Sequence, residues 1–388
     1  MKQKLVDRFL SLNLPPGKSA FLWGPRKTGK STLLKKRYPH SLYYDFLQTD
    51  LVLRYTSKPS LFREELMALS REKKSVPIIV DEIQKVPKVL DEIHWLIENE
   101  NLAFVLSGSS PRKLKRGAAN LLGGRAWRFE LFPFIYTELE DPEILRILNR
   151  GCIPSHYLSN RYKKSHQGYV EDYLKEEILN EGLTRNFPAF TRFFDALQYS
   201  HGELLNYSKI ASDCAIDSKT VKGYFEILVD TLLGTILLPY NRSPGREVIR
   251  KAPKFYLFDV GLAGYISNRN LQEEEGIAFG KALEHYMLME LLAYLSYHDL
   301  NLPIWFWRSK TGLEVDFVIG DAKIAIEVKG TKSIRGRDLR AIKTFQSDHH
   351  PDQAIVVCNE ATPRQAGAIL ILPWKTFLER LWNNSLIH

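Results

Sequence analysis

Short apolar runs alternate with stretches of helical periodicity over the first 140 or so residues. The runs are Ser19-Ala20-Phe21-Leu22-Trp23, Pro77-Ile78-Ile79-Val80 and Ala103-Phe104-Val105-Leu106. Buried strands separated by helices predict a parallel sheet of the α/β kind. Pro133, Pro142 and the segment 149–166, with Gly151, Pro154 and several Ser and Lys residues, mark a connection. From Gly168 to about Ser267 the pattern is helical, as in 170–179, and it closes on two strand-like pieces at 235–240 and 254–259. From Glu273 onward a helix carrying Glu284 in its apolar register leads into strands at 303–308, 313–319, 323–329 and 354–358, with a helix near 336–347. The expected domains are therefore 1–165, 166–270 and 271–388.

A chain of 388 residues with 44% hydrophobic content has room for two or three cored domains. Lys and Arg number 54 against 45 Asp and Glu, a net charge of +9 that favours a polyanionic partner, nucleic acid ahead of a membrane surface. Cys152, Cys214 and Cys358 lie far apart without metal-like spacing, which predicts reduced thiols in a cytoplasmic protein. Charged residues and prolines interrupt the N-terminal apolar positions, and no uncharged run of eighteen apolar residues occurs, so neither a signal peptide nor a membrane span is expected.

Gly24-Pro25-Arg26-Lys27-Thr28-Gly29-Lys30-Ser31 fits G-x4-G-K-S, after an apolar strand and before a helix that starts with Thr32. Glycines let backbone N–H groups wrap phosphates at a helix N-terminus, Lys30 reaches the β and γ phosphates, and Ser31 is placed for Mg²⁺. The partner motif is Ile78-Ile79-Val80-Asp81-Glu82: Asp81 for the outer shell of the metal, Glu82 to polarise the attacking water. Ser107 and Ser109 end a third strand where a polar side chain could sense the γ-phosphate, although a Ser-Gly turn explains them almost as well. Between Ser107 and Phe129 every charged residue is basic. Arg125, in Gly123-Gly124-Arg125, is a candidate to act on a neighbouring subunit's ATP; a solvated face or a phosphate-backbone contact would use the same run.

GPRKTGKS, IIVDEIQKVP, LSGSS and GGRAWRFELFPF, in that order, resemble the AAA-type ATPases of bacteria and archaea that carry a C-terminal domain of unknown function, and the similarity extends over nearly the whole chain. The resemblance implies ATP and Mg²⁺ as cofactors and a homo-oligomer, with a hexamer as one option, and Arg125 falls at the family's Gly-Arg position.

Residues 206–228 read as helix, tight turn, helix, with Ile210, Ala211, Ile216, Val221, Phe225 and Leu228 buried and Asp217 or Ser218 as the second cap. The hairpin that follows completes a winged helix, and its tip, 241–254, holds Arg242, Arg246, Arg250, Lys251 and Lys254. Such a module suits a DNA backbone, with Lys219 and Lys222 as exposed candidates, or serves only as packing.

In 313–329, alternation places Glu314 and Asp316 on one strand face and Glu327 and Lys329 on that of the next. With a two-residue turn at Gly320-Asp321, Ile319 pairs with Ala322 and Asp316 lies diagonal to Glu327. An acid, then Asp, then Glu-x-Lys is similar to the PD-(D/E)xK nucleases, with Val315 where the motif's proline usually sits. By position Glu284, Asp316 and Glu327 correspond to metal ligands and Lys329 to the catalytic lysine. A solvated hairpin face, or a nuclease-like fold that binds without cutting, is compatible with the same residues. The expected whole is an α/β protein with a P-loop AAA+ domain, a winged helix-turn-helix and a nuclease-like α/β domain. The alternative is a signalling or chaperone-like ATPase whose C-terminal domains bind protein.

Overall fold

The computed structural model describes residues 5–69, 76–112, 114, 122–174, 187–241 and 252–387. Its Cα positions group into two units, 1–133 with 230–233, and 134–229 with 234–388.

In the first unit, β1 (Ser19–Trp23), β2 (Tyr43–Asp45), β3 (Ile78–Asp81), β4 (Phe104–Gly108) and β5 (Ala126–Glu130) form one sheet in the order β2-β3-β4-β1-β5. All four pairings are parallel. The apolar runs of β1, β3 and β4 are buried throughout, because helices such as Val89–Glu100 supply Leu90, Ile93 and Leu96 to the core beside Phe62 and Phe104. The short β2 and the β5 edge, whose Trp127 is exposed, are too brief or too polar to stand out in the sequence.

The second unit begins with helices. The stretch expected to be helical from 170 opens as a π-helical turn over Tyr169–Leu174, and 175–179 lie outside the described residues. Two helices, Tyr207–Cys214 and Ser218–Asp230, meet at Ala215, which takes the left-handed conformation. Asn206 caps the first through the Lys209 amide, and Asp217 caps the second by accepting from Thr220 N at 2.9 Å.

An eight-stranded sheet follows, in the order β12-β13-β11-β10-β9-β8-β6-β7. Its strands are β6 (Gly234–Pro239), β7 (Lys254–Leu257), β8 (Ile304–Arg308), β9 (Glu314–Ile319), β10 (Ile324–Val328), β11 (Gln353–Cys358), β12 (Arg364–Ala366) and β13 (Ile369–Pro373). β6 splits its length between two partners, Gly234–Leu237 against β7 and Leu238–Pro239 against β8. The pair expected as a wing is thereby shared with the C-terminal sheet. Helix Arg340–His349 covers one part of it, with Ile342 and Phe345 packed among Val318, Ala325 and Val356.

The helix Ile277–Tyr297 is apolar on nearly every side, and buried polar groups fix it in register. Leu257 N–H donates to His201 Nδ1 (3.2 Å), so His201 Nε2 carries the hydrogen and donates to His285 Nδ1 (3.1 Å), and His285 Nε2–H returns to Leu257 O (2.6 Å). The loop closes only with both rings neutral. Burial holds His285 down to about 3, and it holds His201 well below its usual value, with the neighbouring His285 adding to the effect.

Asp259, at the end of the β7 segment, accepts four amides: Cys152 N (2.7 Å), Ile153 N (3.2 Å), and Gly261 N and Leu262 N (3.0 Å each). Among the described residues no helix is long and apolar enough to cross a membrane. The three cysteines are free and buried.

Two outcomes are expected. Asp259→Ala strands four buried donors and should lower unfolding free energy by on the order of 3 kcal/mol in urea titrations. The depressed histidines bind protons only on unfolding, so their contribution is complete above about pH 6.5 and declines as pH falls, for His285 by about 1.4 kcal/mol per unit toward its folded value of about 3. His285→Gln should flatten that slope relative to wild type.

Candidate functional site

β1 delivers the chain to Gly24, where a Cβ would lie 2.5 Å from Leu131 O, so only glycine lets the loop pass the β5 exit. Lys27 and Gly29 take positive φ, and the helix Lys30–Arg37 starts immediately after them. The first amides of a helix have no intrahelical partner, and here they follow directly on the loop. Thr28 Oγ1 donates to Pro25 O at 2.9 Å, and Arg8 braces the loop from behind through Thr28 O, with Phe132 O at 2.7 Å. Lys30 Nζ donates to Gly24 O (2.7 Å) and Pro25 O (3.0 Å). Burial pulls Lys30 down to about 8, opposed by the charges of Glu82 and Asp81. Pro25 is buried, while Arg26, Lys27 and Thr32 line the exposed rim.

Asp81, at the end of β3, gathers hydroxyls from three elements. Ser31 Oγ donates at 2.6 Å, Tyr43 OH arrives from β2, and Ser107 Oγ arrives from β4. Tyr43 escaped the sequence reading because its strand is three residues long. Burial, reinforced by Asp81, raises the Tyr43 hydroxyl far above the ordinary tyrosine range and keeps it a donor. Ser31 and Asp81 form an all-oxygen pair that suits the Mg²⁺ of a nucleotide complex. Glu82, in the left-handed conformation, receives Gln84 Nε2, which also reaches Ser109 Oγ at 3.2 Å. The structure thus brings Lys30, Ser31, Asp81, Glu82 and Ser107 together. Arg125 stands apart on a turn, paired with Glu98. Of the accompanying basic run, Lys113, Lys115 and Arg116 lie outside the described residues.

The second cluster is in the C-terminal sheet. The β9–β10 register pairs Ile319 with Ile324 and Phe317 with Ile326, two residues away from the pairing expected of a two-residue turn. Gly320 and Ala322 both take positive φ, and residues 320–323 make a four-residue connection. A slip of two preserves every face, and one more step sets Glu327 opposite Asp316 rather than diagonal to it.

Both carboxylates are buried, not solvated. Asp316 Oδ2 accepts from Val328 N at 2.7 Å, and Lys329 pairs with Glu327. Burial and then the facing Glu327 push Asp316 well above the carboxylate range, and burial pushes Glu327 up to about 7 against the pull of Lys329. Glu284 approaches because Gly280 and Gly330 let helix and strand end meet closely; a Cβ on Gly330 would lie 2.6 Å from Gly280 Cα.

Lys254, expected on an exposed wing tip, is instead 5% exposed inside this cluster, 2.5 Å from Glu314 Oε1 and 3.4 Å from Glu284 Oε1. It begins a strand whose apolar neighbours Phe255 and Leu257 are core residues, and alternation with Tyr256, which also donates to Glu284, turns it inward. Arg242, Arg246, Arg250 and Lys251 lie outside the described residues. Glu327 Oε2 is buried without a hydrogen-bond partner, and the oxygen donor set suits a hard divalent ion. As they stand, however, no three His, Cys, Asp or Glu side chains among the described residues are placed to hold a metal. Lys219 and Lys222 are exposed on the helix Ser218–Asp230, with Lys222 paired to Glu226.

Residues 17–140 match the model of an AAA domain. Residues 142–273 and 279–377 match two domains of unknown function, DUF8612 and DUF4143. An uncharacterized protein of Mycobacterium tuberculosis is 24% identical over 308 residues, 77% of this chain. The match spans 66% of that relative's length. The proteasome-activating nucleotidase of Methanospirillum hungatei is 35% identical over 83 residues, 21% of this chain and 20% of its own. A Walker-type ATPase of Pyrococcus abyssi is similar in structure with a TM-score of 0.42 and 16% identity, covering 64% of this chain and 90% of its own.

Nucleotide affinity in the absence of other changes should fall as pH rises through about 8, where free Lys30 loses its proton and with it the attraction for phosphate. Titration with a fluorescent ATP analogue at pH 7 and pH 9 measures the drop. Lys30→Gln should bind weakly and show no such drop.

Proposed function

We propose that the protein hydrolyses ATP at the Lys30–Asp81 site, within the residues 17–140 that match an AAA domain, and uses the cycle to act on nucleic acid. The observation that carries the reading is the convergence of Ser31, Tyr43 and Ser107 on Asp81 beside Lys30. Lys30, now held by two loop carbonyls, is positioned to turn its ammonium to the β and γ phosphates. Mg²⁺ held by Ser31 and Asp81 would neutralise charge on the phosphate oxygens. Glu82, steadied by Gln84, orients the attacking water. Arg125 would serve a neighbouring subunit of a homo-oligomer by leaving Glu98, as a guanidinium at a subunit boundary.

For the rest of the chain, the two capped helices and the β6–β7 pair support a winged helix whose Lys219 and Lys222 face a DNA backbone. The net charge of +9 points the same way. Asp316 opposite Glu327 with Lys329 beside them supports a nuclease-like C-terminal domain, which binds or cuts nucleic acid with a divalent ion.

Lys30→Ala should reduce steady-state ATPase activity by about a hundredfold or more. An undiminished rate removes the ATPase reading. DNA should stimulate the wild-type rate, and its affinity should fall steeply with salt, with a shallower slope for Lys219→Ala/Lys222→Ala. Stimulation by protein and not by DNA would assign the C-terminal half to protein partners. Cleavage of DNA or RNA with Mg²⁺ or Mn²⁺, abolished in Asp316→Ala, is the outcome expected of the nuclease-like site.

A further inference from the structure

Four carboxylates, Glu284, Glu314, Asp316 and Glu327, share the C-terminal cluster with two lysines that divide them. Lys329 takes one oxygen of Glu327 and leaves Oε2, on a residue only 2% exposed, without a partner. Lys254 takes Glu314 and Glu284. The ring of Phe306 lies 5.4 Å from its Nζ, and the side chain is 5% exposed, so the ammonium sits inside the cluster rather than in water. Arg308 adds a second cation to Glu314 at 2.9 Å, and Tyr256 adds a donor to Glu284.

Glu284 and Glu314 therefore spend their charge on side chains of this protein. Asp316 and Glu327 still face one another, and among the described residues three oxygen-bearing ligands are not assembled around one point. An ammonium and a divalent ion in one buried cluster repel each other, and two ions cannot both be neutralised by the same pair of glutamates.

We propose that Lys254 is a built-in competitor for a hard divalent cation at this cluster: its ammonium holds Glu284 and Glu314, and the ion enters by displacing it. This rests on the nuclease-like reading of Asp316, Glu327 and Lys329, and it adds a residue from β7 that the reading does not contain. Lys254 thus sets the affinity and Asp316 with Glu327 the place.

Mn²⁺ binding to the nucleotide-free full chain, followed by the paramagnetic resonance of free Mn²⁺, tests it. Lys254→Gln and Lys254→Met should each bind an ion on the order of tenfold more tightly than wild type, or more, and adding Asp316→Asn should remove that gain. Circular dichroism identifies which of the two variants is folded, and Lys254→Arg should stay near wild type. Unchanged or weaker Mn²⁺ affinity in the folded Lys254 variants overturns the proposal. If wild type then still binds an ion that Asp316→Asn abolishes, the nuclease-like reading survives alone; if no protein shows Asp316-dependent binding, both fall.

Discussion

Asp81 is buried at the end of a central strand, and a carboxylate so placed is tolerated only when its oxygens are hydrogen-bonded. The donors are hydroxyls from the loop helix and from both flanking strands, so the loop, β2 and β4 are all held to β3 through one side chain. Hydroxyls satisfy the carboxylate without cancelling its charge. Lys30 is held in the same way, by neutral carbonyls rather than by a direct ion pair, and desolvation makes its charge easier to lose against the pull of Glu82 and Asp81. Fixed, uncancelled charges of both signs in one pocket are what a phosphate–metal complex requires before it arrives.

The C-terminal cluster handles buried charge in the opposite manner. Its carboxylates meet ammonium groups directly, Glu327 with Lys329 and Glu314 with Lys254, while burial, and then the charge of Glu327, raises Asp316, and burial raises Glu327 against the pull of its lysine. Breaking one member of such a pair leaves a buried charge without compensation, which makes the arrangement specific even where it adds little stability. It also means that a ligand here competes with the protein's own cations, whereas a ligand at the loop completes a set of charges left open for it.

How far the sequence could be read follows from how each site is assembled. The loop of Gly24 to Ser31 is contiguous, and its place between strand and helix is a local property, so it could be located from the sequence; Asp81 needed only a second strand of recognisable apolar character. The hairpin at 314–329 was legible in its faces and not in its register. Side-chain period two makes a two-residue error invisible to facing, while the turn that decides it depends on Ala322 accepting a positive φ. Its burial was not legible either, because polar alternation looks the same under solvent as under a packed helix.

Local pattern therefore determined the order of the motifs along the chain, the glycine loop between strand and helix, a helix cap at Asp217 or Ser218, and which residues share a strand face. The fold alone decided what meets across long separations: Tyr43 with Asp81, His201 with His285, and Lys254 with Glu284 and Glu314. The physical reason is that backbone geometry repeats over two to four residues and is written in the chain, whereas the neutralisation of a buried charge is settled by whichever side chain packing brings within about 3 Å. In the case of Lys254, that moved a residue with every appearance of a surface cation into the middle of an acidic core.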